Sequence, residues 1–304
     1  MMRLAVCGHA NVDVHLQVQD LPKPGQSTPV LERRTARGGT GANIARHAGS
    51  LGLPVRLWAR VGGDFPSSWR RDLEFDGVDL SHMEVVAGAR TPTCFVLTDT
   101  LDRQSFCMDQ GAMDGMADSP PPHAMLDLMG AGDWLHVATG DPLAYAGIAE
   151  AARRQGVSVA LDPGQEFRFR YDAKSFAGLL SLADIFFCNE EELRVACSFL
   201  GLNAPEALLD KVPALVVTRG AKGASLYERS QEVVHVPAIA APRVVNPTGA
   251  GDVLRAGWYA ALKAGKARGE ALRWGAAAAS ISIQHEGPQS HPVQLAELAA
   301  ALKS

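Results

Sequence analysis

Apolar and polar positions along the chain follow two rhythms. Short runs, almost continuous in apolar residues, recur at 4–7, 55–61, 134–138, 157–162, 185–188 and 214–218. Each predicts a strand covered on both faces, because a strand with one wet face would alternate. Between them, segments such as 142–155 and 189–200 carry apolar residues at helical spacing. Strands that alternate with helices predict a parallel sheet with helices packed on it, an α/β class.

Two regions depart from this rhythm. Residues 12–37 and 90–113 alternate, with Val14, Leu16 and Val18 in the first and Thr93, Phe95 and Leu97 in the second. They predict antiparallel strands outside the main sheet, together a small β lid. After Gly249 the chain turns to small residues and helical spacing over 253–264, 268–285 and 293–302, a helix-rich flank. Pro-rich stretches at 119–122 and 240–242 read as connections, and no internal repeat is visible. The expectation is one α/β domain over residues 1–304, with the lid drawn from about 12–37 and 90–113.

Composition narrows the partners. With 47% hydrophobic and 20% charged residues in 304, the usage is that of a globular protein. A net charge of -4 and the lack of a Lys/Arg run argue against nucleic acid or an anionic membrane as partner and favour a small molecule. Only Arg3 precedes a short apolar run that reaches Gly8, too short for a secretory signal or a spanning helix, so a cytoplasmic location is expected. Cys7, Cys94, Cys107, Cys188 and Cys197 are odd in number, form no CxxC pair and are mostly flanked by apolar residues, which reads as reduced core thiols.

The chemistry concentrates in glycine-rich turns that open helices. Asn246-Pro-Thr-Gly-Ala-Gly-Asp252 runs directly into a helical segment. Glycines let successive amides turn to one point, and the helix end adds partial positive charge, so an anion fits there. Asp252 at that mouth reads either as a base that takes a proton from an acceptor or as a helix cap. Gly38-Gly-Thr-Gly-Ala-Asn43 is a second such loop. A dinucleotide fingerprint near Gly8 and a Walker A loop are both absent from the sequence. Asn11 and Asp13, separated by one residue, share a side of an extended chain and can grip one polyol, or they form a turn at a strand end. Asn189-Glu-Glu-Glu192 starts a helix, where acids complement the dipole. Thr218-Arg-Gly-Ala-Lys-Gly223 follows a strand, with Lys222 directed to phosphate or to solvent.

These motifs, in this order, resemble the signatures of the ribokinase-like (PfkB) family, and the resemblance extends over nearly the whole chain. It implies a three-layer sandwich, in which a mostly parallel central sheet is flanked by helices and carries a β lid that closes over the acceptor. By the same resemblance Asp252 is the catalytic base and Gly249, Ala250 and Gly251 form the anion hole. Gly38 and Gly39 let the acceptor approach the backbone, Asn43 bonds a sugar hydroxyl, and Asp13, with Asn11, holds vicinal hydroxyls. Asn189 and Glu192 help to place Mg²⁺ through water. Thr218, Gly220, Lys222 and Gly223 pass the phosphates and ribose of ATP, and Ala278, Ser280 and Gln284 border the adenine. Asn246 stands where many members carry Asp beside a monovalent cation, which leaves potassium activation open. Lids of the family often pair into homodimers.

For the acceptor, the lid segments 90–99 and 104–113 and the run from Pro247 to Gly257 are similar to those of bacterial adenosine kinases. Phe106 and Met108 could stack on a purine or pack into the core. A nucleoside, adenosine first, is the leading expectation, with a free sugar such as ribose or fructose as the alternative. A non-catalytic sugar or nucleoside sensor is a third reading, but its mark would be loss of the base, and Asp252 is present.

Overall fold

A computed structural model describes residues 2–303. The chain opens with β1 (Leu4–Cys7), crosses to β2 (Asn11–Val18) and β3 (Val30–Gly38), and enters α1 (Thr40–Ser50). It continues through β4 (Val55–Trp58), β5 (Arg60–Gly62), α2 (Ser67–Phe75), β6 (Val78–Asp79) and β7 (Glu84–Val86) to β8 (Thr93–Thr98) and β9 (Gln104–Asp109). A run of strand–helix units follows: β10 (Trp134–Val137), α3 (Pro142–Arg154), β11 (Ser158–Leu161), α4 (Phe167–Arg170), α5 (Ala173–Leu182), β12 (Ile185–Asn189) and α6 (Glu190–Leu200). Then come β13 (Ala214–Thr218), β14 (Ala224–Glu228), β15 (Val234–Val236), α7 (Ala250–Lys263), α8 (Arg268–Ser282) and α9 (Leu295–Ala301).

Nine strands form the central sheet in the order β15-β14-β13-β12-β11-β10-β1-β4-β6, parallel from β13 to β6. The unbroken apolar runs are explained by parity. Leu4, Val6, Ile185, Phe187, Ala214 and Val216 face one core, while Ala5, Cys7, Phe186, Cys188, Leu215 and Val217 face the other. One core is covered by α1, α7 and α8, the other by α3, α5 and α6. Helix ends are set by local chemistry. Asp141 caps α3 ahead of Pro142, and Asp172 with Ser175 forms a capping box on α5. α6 ends at Gly201 in the left-handed region, φ 62°.

The sequence reading needs three corrections here. The run 55–61 is two strands, since β5 leaves the sheet after Ala59 to pair with β7. β14 and β15 add an antiparallel edge that the pattern did not reveal. The lid is a four-stranded sheet, β3-β2-β8-β9, antiparallel at both margins but parallel between β2 and β8. Alternation identifies lid strands without fixing the direction of their partners.

Period-two geometry decides what the lid presents. Asp13 lies opposite Cys94, and Cys94 opposite Met108; in the next row Val96 is opposite Phe106. These side chains line the cavity below the lid. In the central sheet, β1 and β10 are neighbours although the chain leaves β1 towards β4, so the connections diverge there. A crevice at the carboxyl ends of the strands is the expected ligand site.

Candidate active site

Two cavities meet above those strand ends. The first, of 320 Å³, lies under the lid and receives His9 after β1, Thr139 after β10, Asp162 after β11 and Asn189 at the end of β12. The second, of 390 Å³, lies between the β13–β14 turn and the helices α7 and α8. Thr218 and Gly251 belong to both walls.

Helix α7 starts at the junction. Its N-cap is Gly249, φ 74°, and no side chain caps it. A Cβ at Gly249 would meet Pro288 as well as enter a backbone region that other residues avoid. Among the described residues the amides of Gly249, Gly251 and Asp252 find no hydrogen-bond partner, so three donors and the positive end of the helix lie at the cavity walls. The Ala250 amide is spent on the Pro247 carbonyl at 3.2 Å, which corrects its expected place in the anion hole. Asp252 is the third helical residue and caps nothing, which removes the capping alternative. Its Oδ2 accepts from Asn43 Nδ2 at 2.7 Å. Burial pushes its carboxyl up to about 7, against the Asn43 hydrogen bond and the Arg255 charge, which favour ionisation, while Asp162 and Glu192 add to the rise.

The residues expected to meet the acceptor converge under the lid. Asn11 Nδ2 donates to Asp13 Oδ1 at 2.6 Å on the shared side of β2, so the pair is not a turn. Burial raises the Asp13 carboxyl to about 6. Gly39 lines the cavity; Gly38 does not, and its role is indirect, because a Cβ there would strike the Asp13 carboxyl group. Asn43 lines the cavity too, but its amide is held by Asp252 on one side and by Gln289 Nε2 on the other, at 2.8 Å. Phe106 and Met108 remain 47% and 37% exposed on the cavity face of the lid, which excludes the core-packing alternative.

On the donor side, Asn189 and Glu192 form a capping box: Asn189 Oδ1 accepts from the Glu192 amide and Glu192 Oε2 from the Asn189 amide, both at 2.8 Å. Both also line the first cavity, and burial with the nearby Asp162 raises Glu192 to about 7. A buried carboxylate whose remaining oxygen has no protein donor suits a cation approached through water. Among the described residues no cluster of three or more acidic, His or Cys side chains forms a direct metal cage.

Thr218, Gly220, Gly223, Ala250 and Gly251 line the second cavity, together with Ala276, Ala279, Ser280 and Ile283. Two expectations are corrected. Ala278 is fully buried and faces α7, where a Cβ on Gly257 would lie 2.8 Å from its own. Gln284 folds back to the Ser280 carbonyl at 2.9 Å and lines neither of the two cavities. Lys222 stands on an exposed turn whose Gly220, Ala221 and Gly223 line the second cavity. Asn246 donates to the Glu286 carbonyl at 2.8 Å and accepts from the Thr248 amide at 2.9 Å.

Sequence reasoning missed a hydrogen-bonded row beside the first cavity. His9 Nδ1 pairs with Thr139 Oγ1 and His9 Nε2 with Gln110 Oε1, both at 2.9 Å, and Gln110 Nε2 donates to Glu166. The available signal was position alone: His9, Thr139 and the 164–166 turn each follow a parallel strand.

A doubly covered parallel sheet, an uncapped helix start aimed at two joined cavities, and one carboxylate at their junction define a phosphotransferase for a small alcohol. Comparison with known proteins gives the family. The model for pfkB family carbohydrate kinases matches residues 1–294, and the chain belongs to that family. It is similar to a nucleoside kinase of Methanothermobacter thermautotrophicus, 35% identical over 291 residues that cover 95% of this chain and 91% of that protein. The crystal structure of Methanocaldococcus jannaschii nucleoside kinase, an archaeal member of the ribokinase family, superposes with a TM-score of 0.90 at 28% identity, covering 100% of this chain and 98% of that one. Arabidopsis thaliana ribokinase complexed with ribose and ATP superposes with a TM-score of 0.83 at 26% identity, covering 100% of both chains.

Proposed function

We propose that the enzyme phosphorylates a hydroxyl of a nucleoside, adenosine foremost, with ATP as donor and Asp252 as general base. The observation that carries this reading is the position of Asp252, between a grip for vicinal hydroxyls and a helix start with free amides at Gly249, Gly251 and Asp252. Asp13 accepts hydrogen bonds from two neighbouring hydroxyls, as a carboxylate can. Asn43 fixes the Asp252 carboxyl and keeps one oxygen turned to the acceptor. A carboxyl that titrates near neutrality takes a proton at working pH without binding it irreversibly. As the acceptor oxygen bonds to phosphorus, Asp252 removes its proton, and the bond from phosphorus to the bridging oxygen breaks with its electron pair leaving on ADP. The Gly251 and Asp252 amides hold the charge on the phosphoryl oxygens, and the lid keeps water from competing.

A nucleoside is favoured over a free sugar by Phe106 and Met108, an aromatic face and a thioether left open on the lid above the grip. The similar nucleoside kinases point the same way. Asn189 and Glu192 would hold Mg²⁺ through water; when bound, the ion neutralises triphosphate charge. The apolar second cavity takes the ATP base. The lid margins β3 and β9 are free edges through which two copies would pair, and sedimentation of the purified chain tests that dimer. Of the cysteines expected in the core only Cys7 and Cys188 are buried and Cys107 is exposed on a lid strand; all five are unpaired, which suits a reducing, ATP-supplied compartment such as the cytoplasm. Among the described residues no helix is long and apolar enough to cross a membrane.

The test is ADP release with Mg-ATP against nucleosides, pentoses, hexoses and ketoses, for the wild type and Asp252→Asn. Adenosine is expected to give the highest kcat/KM, and the variant to lose at least ~10² in turnover with nearly unchanged acceptor affinity. Retained turnover would remove Asp252 from the base role, and a preference for ribose or fructose would replace the nucleoside.

A further inference from the structure

Arg255 has no task in the scheme above, yet it is the most tightly oriented cation at the site. It lies one helical turn beyond Asp252, is 5% exposed, and lines the first cavity. Asp162 clamps one edge of its guanidinium: Nε donates to Oδ2 at 2.8 Å and Nη2 to Oδ1 at 3.0 Å. The plane rests on the Phe187 ring, 5.2 Å from its centroid. Asp162 is backed by His136, whose Nε2 is 3.4 Å away and whose Nδ1 meets the Tyr259 hydroxyl at 2.8 Å. The guanidinium thus has little freedom to turn.

The third nitrogen, Nη1, has no hydrogen-bond partner among the described residues and is not sealed from the cavity. It points at Gly251, where a Cβ would lie only 2.8 Å from it. Gly251 is wall to both cavities, so Nη1 stands at their passage. The order of the strands says the same. Asp162 follows β11, with the acceptor residues after β10 and β1 on one side and the donor residues of β12 and β13 on the other. Packing does not require an ion pair here, because burying two charges costs about as much as their attraction returns. An open donor at such a position suits a charge that develops between the cavities.

We propose that Arg255 is a further catalytic residue, whose Nη1 donates to a non-bridging oxygen of the phosphoryl group during transfer, with Asp162 as the positioning residue that aims it. Nη1 keeps its proton; the bonds that form and break are those between phosphorus and the acceptor and bridging oxygens. The chain supplies in cis what an arginine finger supplies from a partner. The inference rests on the phosphoryl-transfer reading given above.

The test uses the full chain with Arg255→Gln, Arg255→Lys and Asp162→Asn, Mg-ATP and adenosine. A second measurement is ADP affinity with adenosine present, with and without aluminium fluoride, which mimics the phosphoryl group in flight. Arg255→Gln is expected to lower kcat about 10³-fold while both KM values stay within about threefold, and to abolish the fluoride-dependent tightening of ADP. Lys restores part of both, and Asp162→Asn gives the same pattern in weaker form. The proposal is overturned if the Gln variant keeps kcat within about tenfold of wild type, if its loss lies in KM, or if fluoride still tightens ADP. Should that variant not fold, Asp162→Asn combined with Arg255→Gln removes both buried charges and is read by the same criteria. Wild-type turnover with an inactive Asp252→Asn variant establishes the underlying reaction independently, so failure at Arg255 alone leaves that reaction standing. No ADP release with any acceptor overturns both.

Discussion

The two cavities share a wall and oppose each other in chemistry. The first cavity gathers Asp13, Asp162, Glu166, Glu192 and Asp252 around one arginine, whereas the second is lined by alanines, Ile239, Val244 and Ile283. The first, proposed for the acceptor, offers directed charge at a cost to the free protein; the second, proposed for the nucleotide, offers shape and backbone at almost none. Substitutions should therefore separate the two sides, in kinetics and in stability.

The sharpest separation is expected at Asp13. Asp13→Ala removes an acceptor of charge-assisted hydrogen bonds and should raise acceptor KM by about 10² while ATP KM stays within about threefold, as measured by initial rates in both substrates. Ala279→Trp fills the other cavity and should do the reverse, raising ATP KM by about tenfold, since its cost is steric. Ala278→Gly, one residue away, would leave ATP KM unchanged and lower the melting temperature, because its methyl group packs on α7. Equal effects at 278 and 279 would break the distinction.

Acidity sharpens the comparison further. With Asp252 raised to about 7, kcat/KM for the acceptor should fall as pH drops below neutrality, and Asp13, raised to about 6, should steepen the fall. A flat profile from pH 5 to 8 would deny the base its role.

The smallest effect is on stability. Asp252, Asp13 and Glu192 all titrate higher in the folded chain than in the unfolded one, so the folded state binds more protons between about 4 and 7. Their contribution is fully present below about 4 and is lost as pH rises through about 7. Asp252→Asn should therefore stabilise the ligand-free protein at pH 8 by roughly 1–3 kcal/mol, after a discount for its opening to the cavity, with the gain vanishing near pH 4. Thermal melting at both values checks the sign.

The same contrast explains what could be read from the sequence. Asp252, Asn43, Asp13 and the glycines could be placed together in the first cavity because the family resemblance ordered motifs whose charge and backbone freedom, read alone, also fit caps and turns. The four alanines at 276–279 were not legible, since one residue type repeated through a helical turn does not say which face meets the cavity and which meets α7. Lys222 stayed open between phosphate and solvent for a related reason: charge predicts attraction to phosphate, but only the turn decides its direction. The parallel pairing of β2 with β8 escaped because strand partners distant in sequence leave no mark on alternation. Glu166 and His9 escaped because their meeting depends on the sheet order rather than on any local spacing.

One feature of the lid reaches beyond binding. Asp13 rides on β2, a lid strand, whereas Asp252 is fixed to α7 in the body beneath. On the proposed reading, an alcohol gripped by both carboxylates would pin one layer to the other. ATP alone would supply no such pin, so the recipient itself would draw the layers together and the architecture would check wasteful hydrolysis.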